Sequence, residues 1–211
     1  MADALISTEN TGVIVVDIQA DFTEHKSGSL AVPGADAQYI RAVQRSTQRY
    51  VKQGLRVYFT QDWHPADHVS FHTNNPGAEP LQVVEIEGRT QVMWPPHCVE
   101  NTSGAELLII AAESAKTVRK GMHPKFDSYS GFADDGGLKT ELDDLLQKDG
   151  IKKVIVYGLA TDYCVKATVM HAIEAGYEVD LIVELCRGVS PDTTADAIEE
   201  MEEKGVIIIR D

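Results

Sequence analysis

Cys164 is the residue whose type and setting most clearly permit chemistry. It follows a β-branched strand pattern at Val154–Val156, which Gly158 ends, and it opens a helical pattern that continues to Ala175. In the first turn of a helix, backbone N–H groups point outward and the macrodipole favours negative charge. We therefore expect a lowered thiol pKa and a thiolate nucleophile, and the same N–H groups could stabilise an oxyanion. The ordinary alternative is a buried packing thiol.

Two charged residues at other predicted strand ends could assist this thiol. Asp17 lies at the C-terminal end of the apolar run Gly12–Ile18, and Lys120 follows a short strand predicted at Thr117–Arg119. A lysine that points into the crevice would help to ionise Cys164 and would keep Asp17 as a carboxylate. Because no histidine base lies beside Cys164 in the sequence, Asp17 is the candidate base, provided that burial raises its pKa.

A second group of residues has the character of metal ligands. Asp62 and His64 stand two positions apart after a predicted strand, so their side chains can project to the same side. His97 lies in the stretch WPPHC, where two prolines restrict the backbone. One oxygen and two nitrogens, with positions left for water, describe a catalytic site for zinc, iron(II) or manganese. Cys98 is a sulfur alternative to His97.

The elements that must position these residues alternate between strands and helices. Further strands are predicted at Leu55–Thr60, Glu178–Val183 and Val206–Ile209; helices are predicted at Ala37–Lys52, Gly104–Ala112, Leu138–Gln147 and Asp192–Lys204. Six short strands in this alternation predict an α/β fold, with a mostly parallel sheet covered by helices on both faces. In such sheets ligands bind at the carboxyl ends of the strands, which is where Asp17 and Cys164 lie.

One long connection interrupts the alternation after the second strand. It runs from Gln61 to about Ser103 and contains five of the chain's eight prolines. A connection of this length inside a compact domain is usually functional. We therefore predict a metal-binding loop there.

Length and composition limit the remaining choices. The 211 residues, 43% of them hydrophobic, suffice for one core, so we expect a single domain over residues 1–211. No apolar run of membrane-spanning length and no secretory signal is apparent, and three cysteines favour a reducing cytoplasm. The net charge of -14 argues against nucleic acid and anionic lipid as partners.

These motifs together resemble the nicotinamidase branch of the isochorismatase-like cysteine hydrolases. The stretches that carry the resemblance are VIVVDIQADF, GSLAVPGA, QDWHPADHVSF, WPPHCVENTSGAEL, VRKG, DSYSGF, GLATDYCVKAT and ELCRGVSPDTT. They cover nearly the whole chain in order. GLATDYC is common across the family, whereas the combination of DWHP, WPPHC and DSYSGF is more particular to nicotinamidases.

The resemblance implies a role for each candidate residue. It implies an Asp-Lys-Cys triad at Asp17, Lys120 and Cys164, metal ligands at Asp62, His64 and His97, an oxyanion hole at the N–H groups of Ala160 and Cys164, and a ring pocket lined by Phe22, Trp94 and Tyr129. It also implies a cis peptide before Ala160. In some relatives an extra histidine binds the metal, but His68 follows His64 by only four residues and is left out of the ligand set.

The implied activity is hydrolysis of nicotinamide to nicotinate and ammonia through a cysteine thioester, with pyrazinamide as a further substrate and NAD salvage as its setting. The implied cofactor is one divalent metal ion, first of all Zn²⁺, with Fe²⁺ and Mn²⁺ as alternatives. Homo-oligomers are common in the family, although no residue of this chain marks an interface.

Two other functions stay open from the sequence. One is a sister amidase of the same fold that acts on a carbamoyl or ureido substrate, although such enzymes generally lack the metal set. The other is a non-catalytic metal-binding or ligand-binding domain that keeps the fold. The completeness of the triad argues against the second alternative.

Overall fold

Apolar runs rich in valine and isoleucine form the central strands of the chain, whose computed structural model describes residues 9–110 and 113–210. In chain order the strands are β1 (Thr11–Val16), β2 (Arg56–Asp62), β3 (Val83–Ile86), β4 (Arg89–Val92), β5 (Lys116–Lys120), β6 (Lys153–Leu159), β7 (Glu178–Arg187) and β8 (Ile207–Ile209). Six of them pair in parallel in the order β5-β2-β1-β6-β7-β8. The predicted six-stranded parallel sheet is therefore confirmed.

The strand order reverses direction at the centre of the sheet. The chain moves outward from β1 through β2 to β5, returns to β6 on the other side of β1, and continues through β7 to β8. The boundary between β1 and β6 is thus the topological switch point, where a crevice opens beyond the carboxyl ends of the strands. Asp17 follows β1 and Cys164 follows β6, so both lie at this crevice.

The described helices cover the sheet on both faces. They are α1 (Ala37–Lys52), α2 (Leu142–Lys148), α3 (Lys166–Glu174) and α4 (Pro191–Glu203). Right-handed crossovers in opposite directions place α1 on one face and the other three helices on the opposite face. Helix α1 begins as predicted, because the Asp36 carboxylate accepts a hydrogen bond of 2.8 Å from the N–H group of Tyr39. None of the described helices has the length and apolar composition required to cross a membrane.

The helix predicted at Gly104–Ala112 is wrong over its described residues. A single 3₁₀ turn at Ser103–Ala105 is followed by irregular chain to residue 110, while residues 111 and 112 lie outside the described part. The backbone groups of this segment bond to other parts of the fold. The Glu106 carbonyl accepts the Ala20 N–H, and the Leu108 N–H reaches the Ile18 carbonyl. Tertiary pairing therefore replaced the local helical bonds that the sequence pattern favoured.

Helix α2 begins later than the prediction of Leu138–Gln147. Lys139 forms a bridge with Ala133, and the Thr140 N–H donates to the Phe132 carbonyl, so this part of the chain is extended. The helix starts only at Leu142. Similarly, Gly158 does not end β6, which continues to Leu159 through an irregular pairing with β7.

The long segment after β2 contains structure that the sequence reading missed. Strands β3 and β4 form an antiparallel hairpin, in which Val83 pairs with Val92 and Ile86 pairs with Arg89. The rest of the segment is irregular chain with short turns. Its carboxyl-terminal part returns beside β2, because the His64 N–H donates to the Cys98 carbonyl at 3.0 Å and His64 bridges to Val99.

We predict that Gly158→Ala destabilises the protein severely. Gly158 has φ +141°, and an added Cβ atom would lie 2.1 Å from the Val16 carbonyl oxygen at the β1–β6 boundary. The backbone of a central strand cannot move aside, so the free energy of unfolding, measured in urea, should fall by about 3 kcal/mol or more.

The matched control is Gly54→Ala. Gly54 also has a positive φ of +87°, but no atom lies within 4 Å of the added methyl group. The free energy of unfolding of that variant should fall by only about 1 kcal/mol. Equal losses in the two variants would contradict this account of the sheet.

Candidate active site

Three strand ends bring Asp17, Lys120 and Cys164 together. The Lys120 Nζ atom lies 3.0 Å from Asp17 Oδ2 and 3.5 Å from Cys164 Sγ. The sulfur and one carboxylate oxygen each of Asp17 and Asp62 all lie within 4.8 Å of one another. The structure thus places the acid, the ammonium group and the thiol of the predicted triad in contact, with Asp62 beside them.

The Lys120 ammonium is buried and has a complete set of partners. Its side chain is fully shielded from solvent, and it donates hydrogen bonds to Asp62 Oδ1 and, at 2.7 Å, to the Ser128 carbonyl. Burial lowers the pKa of Lys120, but the Asp17 and Asp62 carboxylates outweigh burial and raise that pKa well above its ordinary value. Lys120 is therefore a permanent positive charge between two carboxylates.

Asp17 is held in the left-handed backbone region, with φ +47°, by contacts to β2. The Thr60 hydroxyl donates to Asp17 Oδ1 at 2.6 Å, and the Asp17 N–H donates to the same hydroxyl oxygen at 3.2 Å. Oδ2 has no hydrogen bond of good geometry beyond its ion pair with Lys120. Burial raises the pKa of Asp17 to about 6, although Lys120 opposes the rise.

Asp62 has the opposite electrostatic character. Burial raises its pKa, but Lys120 and His64 outweigh burial and hold the pKa of Asp62 below its ordinary range. Two neighbouring carboxylates whose pKa values are driven apart can take different roles. Asp17 is suited to exchange a proton, whereas Asp62 stays ionised and could bind a cation.

The expected lowering of the Cys164 pKa is wrong. Burial raises the pKa of this thiol well above its ordinary value, and Lys120 only partly offsets burial and the two nearby carboxylates. Cys164 lies in a π-helical turn, Thr161–Val165, ahead of α3, and only 8% of it is exposed. The group at rest is therefore a thiol, and a base would have to remove its proton before the sulfur could act as a nucleophile.

The turn that carries Cys164 has two further features. The peptide between Leu159 and Ala160 is cis, as the resemblance implied. The Asp162 carboxylate accepts hydrogen bonds from the N–H groups of Val189 and Ser190, at 3.0 and 3.3 Å, and so ties the turn to the start of α4. The sequence reading assigned nothing to Asp162, although an acid two residues before the thiol was visible in TDYC.

Asp62, His64 and His97 form the second predicted group. One ligand atom from each lies within 4.8 Å of the other two, and all three residues are buried. The Nδ1 atoms of His64 and His97 lie 2.9 Å and 2.7 Å from the carbonyl oxygens of Gly121 and Pro95, so the Nδ1 atoms carry the protons and each Nε2 atom keeps a lone pair. Asp62 Oδ2 lies 3.5 Å from His64 Nε2. This donor set fits a divalent metal ion.

Neither alternative ligand has a free donor atom in the right place. His68 Nδ1 lies 2.8 Å from the Ser70 hydroxyl and its Nε2 lies 3.1 Å from the Phe126 carbonyl, so both ring nitrogens are engaged. Burial and His64 lower the pKa of His68 to about 4. The Cys98 sulfur lies 3.9 Å from the Gly104 carbonyl oxygen. Among the described residues, Cys98 belongs to no cluster of side chains whose spacing could hold a metal ion.

A small cavity opens onto Cys164, Asp62 and His97. Ala160 lies in the same wall as Cys164. The aromatic lining residues are Phe22, Trp94, Tyr129 and Tyr163. The structure thus brings the three aromatic residues that the sequence singled out to one cavity, and it adds Tyr163.

The aromatic wall is fixed by internal contacts. Trp94 Nε1 donates to the Tyr129 hydroxyl at 3.1 Å, and the Trp94 and Tyr163 rings meet edge to face at 5.1 Å. Asp127, which the sequence reading passed over, lines the cavity and accepts hydrogen bonds of 2.9 Å from Gln91 Nε2 and the Ser128 N–H. The hairpin strand β4, which carries Gln91, is thereby tied to the cavity.

The chain is similar to known proteins along nearly its whole length. The isochorismatase domain family matches residues 11–210. A nicotinamidase of Escherichia coli (strain K12) is 42% identical over 201 residues, which cover 93% of this chain and 92% of that protein.

Solved structures agree in fold. A nicotinamidase/pyrazinamidase of Acinetobacter baumanii, 33% identical, superposes with a TM-score of 0.89 over 97% of this chain and 98% of that one. A pyrazinamidase of Pyrococcus horikoshii in complex with zinc, 34% identical, gives a TM-score of 0.81 over 96% and 99% of the two chains.

We predict that iodoacetamide modifies Cys164 faster than Cys98 or Cys186 near neutral pH. Cys164 lines the cavity beside the Lys120 ammonium, which favours its thiolate, whereas Cys98 is completely buried and the S–H group of Cys186 donates to the Ile182 carbonyl at 3.3 Å. Peptide mass spectrometry after brief exposure measures the three rates. Equal rates at the three cysteines would argue against a special environment at Cys164.

Proposed function

The chain belongs to the isochorismatase domain family, and we propose that it is a nicotinamidase, which hydrolyses nicotinamide to nicotinate and ammonia. In this proposal Asp17, Lys120 and Cys164 form the catalytic triad. The observation that carries the proposal is the position of Lys120. Its ammonium group contacts the proposed base, Asp17, and also the Cys164 thiol and the Asp62 carboxylate, which both line the aromatic cavity.

The first half of the reaction forms a thioester. Asp17 accepts the proton of Cys164, and the sulfur attacks the carboxamide carbon as the carbonyl π electrons move to oxygen. The N–H groups of Ala160 and Cys164 stabilise the oxyanion. Protonated Asp17 then gives its proton to the amide nitrogen. The C–N bond breaks, ammonia leaves and the carbonyl re-forms as a nicotinoyl thioester.

The second half releases the acid. Asp17 removes a proton from a water molecule, whose oxygen attacks the thioester carbon. The tetrahedral intermediate again uses the same two N–H groups. The C–S bond breaks, the sulfur recovers a proton from Asp17, and nicotinic acid leaves and loses its carboxyl proton to water to become nicotinate. Throughout both halves, Lys120 maintains the positive charge that offsets negative charge on Asp17 and on the sulfur.

We propose that Asp62, His64 and His97 hold one metal ion beside the substrate ring. Zinc is our first assignment, supported by the zinc complex of the Pyrococcus horikoshii relative, and iron(II) or manganese would suit the same donors. When bound, such an ion supplies a Lewis acid that can coordinate the pyridine nitrogen and withdraw electrons from the ring. Neutral His97 is available for this role because burial and His64 lower its pKa to about 4.

The cavity suits a flat heteroaromatic amide. Phe22, Trp94 and Tyr129 line the same cavity as Cys164 and His97. A pyridine or pyrazine ring can pack against such walls while its carboxamide reaches the sulfur. We therefore include pyrazinamide among the substrates. The described cysteines are all free, which is typical of a reducing compartment, so we assign the enzyme to the cytoplasm.

Purified protein supplied with zinc should release ammonia from nicotinamide, and Cys164→Ala should lower turnover by at least about 10³-fold because the nucleophile is gone. Cys186→Ala is the matched control, since Cys186 is a buried cysteine outside the described site, and it should keep the parental turnover. An ammonia-release assay measures all three proteins. Parental protein without detectable turnover would remove the proposed activity.

The pH profile should report the ionisation of Asp17. Its pKa is raised to about 6, and it must be a carboxylate to accept the thiol proton. Below that pH the group is increasingly protonated, so kcat/KM should fall by about tenfold per pH unit as pH decreases, while it stays level just above. Steady-state kinetics between pH 5 and 8 test this, and a level profile down to pH 5 would exclude Asp17 as the base.

Removal of the metal should impair substrate binding or turnover while the fold persists. The proposed ligands are fixed by the sheet end and by backbone carbonyls, so the scaffold does not depend on the ion. After dialysis against a chelator, far-UV circular dichroism should be unchanged, turnover should fall by more than about tenfold, and zinc should restore it. Loss of the folded spectrum on chelation would instead show a structural metal.

A further inference from the structure

Gln19 is a fully buried polar residue that the proposed reaction does not use. Its side-chain amide bonds to both backbone groups of one residue, Asp62. The Asp62 N–H donates to Gln19 Oε1 at 2.8 Å, and Gln19 Nε2 donates to the Asp62 carbonyl at 2.8 Å. The second Nε2 proton goes to the Ala105 carbonyl at 3.0 Å. Both N–H groups of the amide are therefore used.

The two hydrogen bonds between Gln19 and Asp62 lie just beyond the point where β1 and β2 stop pairing. The pairing of β1 with β2 ends at Val15 and Phe59, after which β1 leaves the sheet through Asp17. The backbone of Asp62 then faces a gap on the β1 side, while β5 still pairs with it through Lys120 on the other side. The Gln19 amide fills this gap with the N–H and C=O pattern that a neighbouring strand would present.

Asp62 is the residue whose placement matters most at the proposed site. One of its carboxylate oxygens contacts the Lys120 ammonium, and the other lies 3.5 Å from His64 Nε2. A rotation of the Asp62 backbone would move both oxygens together. Fixed ligand orientation is what maintains metal affinity, and the loss of supporting contacts typically costs 10- to 100-fold.

We propose that Gln19 is a positioning residue for the metal site, in which its side-chain amide replaces a missing strand and fixes the Asp62 carboxylate. The inference rests on the proposed metal ligands. It predicts that zinc affinity, and not only stability, depends on the hydrogen bonds of Gln19.

Gln19→Met tests the proposal and Gln61→Met controls it. Methionine keeps a comparable length but makes no amide hydrogen bonds. Gln61 is also a buried glutamine; its Nε2 donates to the same Ala105 carbonyl at 2.8 Å, but its side chain does not bond to the backbone of Asp62. The two variants therefore lose a similar buried amide, and only Gln19→Met loses the contacts to Asp62.

Zinc dissociation constants are measured by competition with a chromophoric chelator. The constant should be about 10- to 100-fold larger for Gln19→Met than for the parent, while that of Gln61→Met stays close to the parent value. Equal zinc affinities in the two variants would overturn the proposal. Gln19→Glu, which keeps the side-chain size but cannot donate to the Asp62 carbonyl, should weaken zinc binding in the same direction. If both Gln19 variants fail to fold while Gln61→Met folds, Gln19 is a structural residue and the proposal is wrong.

The readout separates this inference from the proposed activity. A parent that binds zinc but releases no ammonia from nicotinamide would remove the activity and leave the Gln19 comparison valid. A parent that hydrolyses nicotinamide, together with a Gln19→Met variant of unchanged zinc affinity, would remove only the role of Gln19.

Discussion

A single buried ammonium group connects the two halves of this site. Lys120 Nζ contacts Asp17, Asp62 and the sulfur of Cys164, and its side chain is completely shielded from water. An isolated charge in such a place would be very unfavourable, so the ammonium group requires both carboxylates and they require it. Asp17 directly follows β1, while Asp62 and Lys120 are the last residues of β2 and β5, so the order of strands in the sheet is what allows this pairing.

The same arrangement divides the chemical roles. Asp62 is held ionised by Lys120 and His64, whereas burial raises the pKa of Asp17 to about 6 despite Lys120. One carboxylate is thus suited to bind a cation and the other to exchange a proton. The thiol does not ionise by itself, since burial raises the pKa of Cys164. In our account its reactivity therefore depends on a base in contact with it, and not on the helix that it precedes.

The sequence predicted features that depend on local patterns. Apolar β-branched runs predicted the strands, and residues at strand ends predicted which side chains would meet at the switch point. Features set by distant partners were missed. In place of the helix expected at Gly104–Ala112, the chain forms backbone hydrogen bonds with the segment after β1. The Gln19–Asp62 contact joins residues 43 positions apart. The β3–β4 hairpin had a partial signal in the sequence, because apolar and polar residues alternate from Val84 to Glu87, just before Gly88.

The most direct test of the central role of Lys120 is the pH dependence of Cys164 alkylation in the parent and in Lys120→Met. Methionine removes the ammonium charge while keeping a long unbranched side chain. Since Lys120 is the group that lowers the pKa of Cys164 against burial, the alkylation midpoint should move to higher pH by about one unit or more. Superimposable profiles in the two proteins would show that this ammonium does not govern the thiol, and would contradict the account.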